Sequence, residues 1–412
     1  MASDFPTIHN VGNFKGTSSQ IKRPTQGEKR SMSKFMSGFC IPLLVVMILL
    51  TTYGLVICYS AVDSNPQYSF TRQLTGLAIG IVVCLIFFRF NYSTLEKAYI
   101  PLAIITVVLI LSPHIPGIGV TSMGATSWVK IGMQFQPGEL AKVTVILYAA
   151  SLVSKYNGRL DNLKEYCKVV GLLGIPFVCI LTQPDLGTGL VYLVISAVVI
   201  ICGGAKMRYI VATVLLIVAA FLAILLIDEM LKTTNADGTF EYKLLKNYQR
   251  NRLFVFLNQD SADTSSEAYN LNQARIAIGS GGLFGKGLGA STQSSLGFLP
   301  EATTDFIFCV LAEELGFIGA IALLVLYVAL IFVTIRIAKQ ASSLFGMLIC
   351  IGVSAMWLFQ VLENVGMCTG VMPITGIPLP FVSYGSSFMI VNFACVGLIA
   401  SVYRGAADSR KM

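Results

Sequence analysis

The chain has 412 residues, of which 55% are hydrophobic and only 12% are charged. A soluble globular protein carries about 25% charged residues, so this composition excludes a soluble fold and indicates a chain embedded in lipid. The net charge of +8 does not indicate a nucleic-acid partner, because the membrane topology predicted below accounts for the basic residues.

Residues 1–35 are polar, lack the apolar core of a signal peptide and are predicted to form a disordered cytoplasmic tail. A membrane-spanning helix needs about 20 apolar residues. Ten stretches are predicted to span the membrane: 36–58, 70–90, 98–112, 139–154, 169–182, 188–203, 209–227, 306–335, 344–365 and 385–403. Residues 36–404 are thus a single transmembrane domain, with a large extracytoplasmic loop at 228–304 between helices 7 and 8 and a short cytoplasmic tail at 405–412. The predicted fold class is an all-α polytopic membrane protein with about ten transmembrane helices.

The basic residues determine the predicted orientation. With the N-terminus in the cytoplasm, the short outside segments hold only Arg72, Lys130 and Lys142, whereas the inside segments hold most of the 29 basic residues. Cytoplasmic loops carry such an excess, and inverting the chain would remove it. Both termini are therefore predicted to be cytoplasmic.

Cysteine and histidine offer little chemistry. The ten cysteines lie mostly inside the predicted spans without any CxxC pair, so they are interpreted as small core residues rather than ligands or disulfides. The two histidines are His9 and His114, and His9 lies in the tail. Histidine-based metal or triad chemistry is therefore nearly excluded.

Asp305 stands where the long polar loop ends and the apolar stretch from Phe306 begins. An ionisable group at a membrane boundary is costly to keep and indicates a functional site. The alternative is a helix N-cap, because an aspartate at that position accepts hydrogen bonds from unpaired N–H groups and suits the helix dipole. The residue by itself leaves both interpretations open.

Polar residues also mark two other outer segments. Glu139 and Lys142 are three apart, so on a helix they share a face, either as a neutralising ion pair or as the lining of a cavity. Before them, Trp128 and its apolar neighbours alternate with polar residues, which is typical of a segment in the headgroup layer. Asp185 lies in a Pro- and Gly-containing turn, where it either satisfies its own backbone or supports the same site.

The long loop supplies candidate cations. Arg250 and Arg252 border an apolar segment, which suits an interfacial helix with guanidinium groups near lipid phosphates. The glycine run 279–289 lacks the Gly-Lys-[Ser/Thr] ending of a nucleotide-binding loop and is predicted to be a turn or a re-entrant segment. Arg275 and Lys286 are its candidate anion contacts.

The segment 372–387 contains three prolines within eight residues, which forbid a regular helix. Irregular backbone at membrane depth has to be buried in protein or line a cavity. The segment is predicted to be a rigid wall of an outward-facing site, with Ser383 and Ser387 as substrate contacts. The other predicted members of that site are the carboxylates Glu139, Asp185, Glu301 and Asp305 and the cations Lys142, Arg250, Arg252, Arg275 and Lys286. The implied substrate is an amphiphile with an anionic head and an acyl or prenyl tail.

Five segments carry a family resemblance: 135–142, 183–188, 278–287, 299–316 and 373–387. Together they resemble the SEDS family (shape, elongation, division and sporulation), the RodA and FtsW type of bacterial cell-wall polymerase, and 298–314 is more similar to RodA. Two positions depart from the family pattern: Gly138 stands where Ser is usual, and Ser386 where a second Gly is usual.

The resemblance implies a peptidoglycan glycosyltransferase that polymerises lipid II during cell elongation, at the outer face of the bacterial cytoplasmic membrane. It implies a class B penicillin-binding protein as transpeptidase partner; the placement of the basic residues predicts no nucleic-acid partner. The family's essential aspartate corresponds to Asp305, as general base or cation ligand, and its glutamate–lysine pair to Glu139 and Lys142. Mg²⁺ or Mn²⁺ is a candidate cofactor. A lipid II flippase and a scaffold that activates a partner synthase are the alternatives.

Overall fold

The computed structural model describes residues 40–63, 68–122, 125–131, 133–183, 185–234, 240–241 and 266–409. Within these ranges lie twelve α-helices: α1 (Ile41–Asp63), α2 (Phe70–Arg89), α3 (Tyr99–Leu111), α4 (Pro137–Ser154), α5 (Leu163–Leu181), α6 (Leu186–Cys202), α7 (Met207–Met230), α8 (Ser266–Gly281), α9 (Thr292–Ser295), α10 (Ile307–Gln340), α11 (Leu344–Thr369) and α12 (Ser386–Ser409). The predicted tail 1–35 lies outside the described residues.

Each of the ten predicted spans overlaps one of α1–α7 and α10–α12, which confirms a polytopic membrane protein, although residues 36–39 of the first span lie outside the described residues. Among the described helices, six are long and apolar enough to cross a membrane by themselves: α1, α2, α7, α10, α11 and α12. α3 and α6 are shorter apolar helices. An unbroken apolar run folds as a helix in lipid because every backbone N–H and C=O then finds a partner within the segment.

The helices differ in how much surface they expose. α7 exposes nearly all of its side chains, and Asp228 is its one buried residue. α4 is the opposite, because almost every residue from Pro137 to Ser154 is buried among its neighbours. This central position explains how α4 can carry Glu139 and Lys142, since charged groups within the membrane are tolerated where they face the protein interior.

A three-stranded antiparallel sheet precedes α4, and it is a feature that the all-helical prediction missed. It consists of β1 (Gly119–Ser122), β2 (Ala125–Ile131) and β3 (Met133–Phe135), with Val120 opposite Trp128 and Lys130 opposite Gln134. The alternation around Trp128 is therefore the period of two of a strand. The loop after α7 contains a short strand pair, β4 (Thr233–Thr234) and β5 (Phe240–Glu241).

The glycine run folds as a turn against a break in α10. Gly316 has φ +67° within that helix, and a Cβ there would lie 2.3 Å from the backbone nitrogen of Gly285. The amides of Lys286 and Gly287 donate to the carbonyls of Glu313 and Glu314, at 3.0 and 2.9 Å. These amides are thus used within the protein, which agrees with the predicted turn.

Candidate active site

The predicted polar residues meet in a cavity of about 400 Å³ at one end of the helices. Six of them line it: Glu139, Lys142, Asp185, Glu301, Asp305 and Ser387. They come from four different parts of the chain, so the cavity exists only in the folded protein.

Five helices begin at this cavity. Arg72 near the start of α2, Glu139 of α4, Thr188 of α6 and Ser387 of α12 all line it, and Asp305 lies just before α10. A helix N-terminus carries a partial positive charge and presents unpaired N–H groups, which favour an anion. The cavity therefore suits a negatively charged group in spite of its carboxylates.

Asp305 does not occupy the cap position of α10, because the residue at that position is Phe306. Its half-buried side chain lines the cavity and faces Gly376, where a Cβ would lie 2.9 Å from Oδ2 of Asp305. Gly376 also has φ +74°, a conformation that favours glycine. The geometry thus favours the functional interpretation of Asp305 over the capping one.

Asn364 of α11 and the broken segment before α12 together hold the loop that carries Asp305. Asn364 Nδ2 donates to the carbonyl oxygens of Asp305 at 2.7 Å and Ile377 at 2.8 Å. Ser383 Oγ donates to the carbonyl of Thr304 at 2.7 Å and accepts from the amide of Leu379. The buried Ser383 hydroxyl therefore contacts backbone, and Ser383 is not among the residues that line the cavity.

Glu139 and Lys142 form an ion pair, with Oε1 and Nζ 2.6 Å apart. Their side chains are only 5% and 1% exposed, and both line the cavity. Lys142 Nζ also lies 5.6 Å from the ring centroid of Phe388. Both sequence-based interpretations therefore hold: the pair neutralises two buried charges and forms part of a cavity wall.

Asp185 and Glu301 each combine a structural contact with a place in the cavity. Asp185 caps α6 by accepting from the amide of Thr188 at 2.9 Å, and it also accepts from Gln136 Nε2 at 3.2 Å. Glu301 accepts from Tyr68 Oη at 2.9 Å. Burial, together with the nearby charge of Glu301, raises the pKa of Tyr68 to about 12, so this phenol stays protonated and remains a donor.

The cavity contains residues that the sequence analysis did not select. Arg72 lines it and donates to the carbonyl of Gln134 in β3 at 3.0 Å. Trp128 of β2 and Tyr384 line it as well. The sequence could have indicated Arg72 as a site residue, because it is one of the few basic residues on the predicted outer side.

Four of the five predicted cations are not in the cavity wall: two lie elsewhere, and two fall outside the described residues. Lys286 pairs with the carboxylate of Glu313 at 2.5 Å, and Arg275 donates to the carbonyl of Thr369 at 3.3 Å. Neither lines the cavity. Arg250 and Arg252 fall in the part of the chain that the structure does not describe, so their predicted roles stay predictions.

Comparison with known proteins identifies the family. A family model described as "Cell cycle protein" for FtsW, RodA and SpoVE matches residues 39–407. The chain belongs to the FtsW, RodA and SpoVE family. The match includes every residue of the cavity wall and all of the described helices except the last two residues of α12, and it confirms the resemblance that the five motifs carry.

Relatives in the FtsW, RodA and SpoVE family are similar over most of their length. The peptidoglycan glycosyltransferase MrdB of Escherichia coli (strain K12) is 34% identical over 362 residues, which are 88% of this chain and 92% of that protein. The stage V sporulation protein E of Bacillus subtilis (strain 168) is 33% identical over 371 residues, 88% and 96% of the two chains. A solved structure described as structural coordination of polymerization and crosslinking by a peptidoglycan synthase complex contains a similar chain. That chain is 27% identical with a TM-score of 0.73, and the match covers 89% of this chain and 98% of that one.

Proposed function

We propose that this protein is a peptidoglycan glycosyltransferase that polymerises lipid II into glycan strands. The observation that carries the proposal is the Asp305 carboxylate in a cavity surrounded by helix N-termini, on a loop whose backbone is held by the side-chain amide of Asn364. A relative named peptidoglycan glycosyltransferase, 34% identical over most of its length, supports the same activity.

In the proposed reaction, the 4-hydroxyl of one disaccharide attacks the anomeric carbon of a second sugar that carries undecaprenyl diphosphate. A new C–O bond forms as the bond to the diphosphate breaks, and a single displacement inverts the anomeric carbon. Asp305 takes the hydroxyl proton as general base. Lys142, Arg72 and the surrounding helix N-termini stabilise the negative charge that develops on the leaving diphosphate.

A divalent cation fits this cavity only with help from the substrate. Among the described residues, no group of three or more His, Cys, Asp or Glu side chains could hold a metal ion. Mg²⁺ is often held by one or two carboxylates together with water and substrate phosphates. In this alternative role Asp305 would hold the cation instead of acting as the general base, and the cation would add positive charge beside the diphosphate.

The proposed location follows from the distribution of charge. The cavity lies at the end of the helices that is predicted to face outward, because the basic residues are concentrated in segments at the other end. We propose a bacterial cytoplasmic membrane protein with both termini in the cytoplasm and an extracytoplasmic active site. Lipid II would then enter from the outer leaflet.

A class B penicillin-binding protein is the proposed partner. Support comes from the solved complex, whose description joins polymerization to crosslinking. Cell elongation is the proposed process, on the RodA-like motif around Asp305. It predicts that this chain restores rod shape to a host depleted of its elongation polymerase, but not septation to a host depleted of its division polymerase.

The decisive experiment supplies labelled lipid II to the purified protein and its partner, with the partner's own catalytic sites disabled. Wild type is expected to make long strands, and Asp305→Asn none at equal folding. The matched control is Asp161→Asn, which removes an exposed carboxylate paired with Lys206 outside the cavity, and it should polymerise normally.

Three outcomes would overturn the proposal. Strands from Asp305→Asn at the normal rate would remove the carboxylate from the mechanism. Transfer of lipid II across vesicles by wild type without any strands would make the protein a flippase. Strands that form only when the partner's own catalytic sites are left active would make it a scaffold.

A further inference from the structure

A second cavity lies at the opposite end of the helices, where α3 begins and α4 ends. It has a volume of about 380 Å³. α4 has 18 residues and is therefore about 27 Å long, and its first turn lines the active cavity while its last turn lines this one. The two cavities are thus separated by roughly the thickness of the hydrocarbon layer.

The lining of the second cavity is rich in donors. Lys97 and Lys155 contribute exposed ammonium groups from two adjacent turns. Neither lysine forms an ion pair with any described residue, in contrast to Lys142 and Lys286 of the same chain. Glu96 is the one acidic residue of the lining, so the lining carries a net positive charge.

The two turns are held at a defined separation. Ser151 Oγ of α4 donates to the carbonyl of Glu96 at 2.6 Å, which joins the last turns of α4 to the turn before α3. Lys155 Nζ lies 5.1 Å from the ring centroid of Tyr99, a cation–π contact that restricts the ammonium. The buried side chains of Ser151 and Ser154 form the floor. These contacts fix the separation of the two turns that carry Lys97 and Lys155.

An exposed apolar stripe leads away from this cavity along α3. Ile100, Ile104 and Val108 are more than half exposed and lie four residues apart, so they follow one face of the helix. In a membrane protein this face lies against acyl chains. A cationic cavity continuous with a lipid-facing apolar stripe matches a molecule with a phosphate head and acyl tails.

We propose that Lys97 and Lys155 bind the headgroup phosphate of an anionic phospholipid, whose acyl chain lies along α3. Basic pockets between transmembrane helices on the cytoplasmic side bind anionic headgroups in this way. In the proposed orientation the lipid belongs to the inner leaflet, opposite the active cavity. Occupancy would stabilise the junction of α3 with α4, the helix that carries the Glu139–Lys142 pair.

The test titrates the purified full-length protein in a non-ionic detergent with phosphatidylglycerol, phosphatidylcholine or inorganic phosphate. Thermal unfolding reports the half-saturating concentration, and native mass spectrometry counts the lipids retained. Phosphatidylglycerol is expected to stabilise wild type. Lys97→Ala/Lys155→Ala should raise the half-saturating concentration about thirtyfold, because each lysine near the membrane surface contributes roughly a fivefold factor.

Three variants make the test specific. Lys164→Ala/Lys168→Ala removes the same charge from exposed positions on the adjacent α5, and it should leave the titration unchanged. Glu96→Gln should tighten binding, because it removes the one negative charge of the lining. Lys97→Gln/Lys155→Gln keeps polar side chains of moderate length and replaces the alanine variant if the latter unfolds without lipid.

The inference fails if the Lys97/Lys155 variants bind phosphatidylglycerol as wild type does. If Lys164→Ala/Lys168→Ala weakens phosphatidylglycerol binding equally, the lipid is attracted to the basic surface as a whole and not to this cavity. Equal stabilisation by phosphatidylcholine would remove the role of charge, and equal stabilisation by inorganic phosphate would indicate a site for a free anion instead of a lipid.

Discussion

The Glu139–Lys142 pair allows the most quantitative prediction. Replacement of Lys142 by Met leaves the Glu139 carboxyl, whose side chain is only 5% exposed, without its cation. A glutamate in water has a pKa of about 4.3, so holding one protonated at pH 7 costs about 3.7 kcal/mol. Removing one partner of a buried ion pair costs about 3–5 kcal/mol. We therefore expect Lys142→Met to lower the free energy of unfolding by about 3–4 kcal/mol.

The double variant Glu139→Gln/Lys142→Met separates stability from function. It removes both charges, so most of the lost stability should return, because neutral replacement of a buried pair is often close to neutral. Polymerisation should stay low, since the cavity has lost a cation beside the proposed diphosphate position. Steric trapping in micelles measures the free energy of unfolding, and strand formation from labelled lipid II is normalised to folded protein.

The pH dependence gives a second check on the single variant. When Lys142→Met folds, Glu139 takes up a proton. The stability of this variant therefore falls as the pH rises above the pKa that Glu139 has in the unfolded chain. The loss relative to wild type should therefore shrink by about 1.4 kcal/mol for each unit that the pH is lowered from 7 towards 5. Lys206→Met is the matched control, because its pair with Asp161 is exposed and should contribute less than about 1 kcal/mol.

Two results would refute this reasoning. A double variant that polymerises at the wild-type rate would show that Glu139 and Lys142 only neutralise each other's charge and do not contribute to the reaction. A single Lys142→Met variant as stable as wild type at pH 7 would show that solvent reaches the carboxylate, contrary to the burial of α4.

Three further substitutions test how the cavity is held. Gly376→Ala would place a methyl group 2.9 Å from Oδ2 of Asp305, and a displaced carboxylate should slow turnover about a hundredfold. Asn364→Ala removes the donor to the buried carbonyl of Ile377 and the half-buried carbonyl of Asp305; it should cost about 1–3 kcal/mol and lower turnover with little effect on lipid II binding. Lys286→Met should cost about 1–3 kcal/mol of stability through Glu313 without changing turnover per folded molecule.

Each of these has its own control and contrary outcome. Gly158 has a similar positive φ (+75°), but a Cβ there would meet open space. Gly158→Ala should therefore keep full turnover. If it loses turnover as Gly376→Ala does, the effect at Gly376 comes from backbone strain and not from contact with Asp305. Asn364→Ala with normal turnover would mean that Asp305 is positioned by other contacts. A turnover defect in Lys286→Met would restore its predicted role as an anion contact.

The positions of the membrane helices could be predicted from the sequence alone. Hydropathy is a local property, and in lipid a continuous apolar run has to satisfy its own backbone hydrogen bonds, so each predicted span is a helix in the structure. Asp305 could be selected in the same way, because the boundary between a polar loop and an apolar run is visible in the chain. The family was evident from five short motifs for the same reason.

The composition of the cavity depended on contacts between distant parts of the chain. Arg72 lines the cavity beside β3, whereas Lys286 pairs with Glu313 and Ser383 with the carbonyl of Thr304. The local sequence does not determine which tertiary partner each of these polar side chains binds. The three-stranded sheet is a similar case, because alternation around Trp128 becomes a strand only when β1 and β3 supply its hydrogen bonds. A helix in lipid completes its hydrogen bonds within itself, but strands, ion pairs and cavities are completed only by tertiary structure.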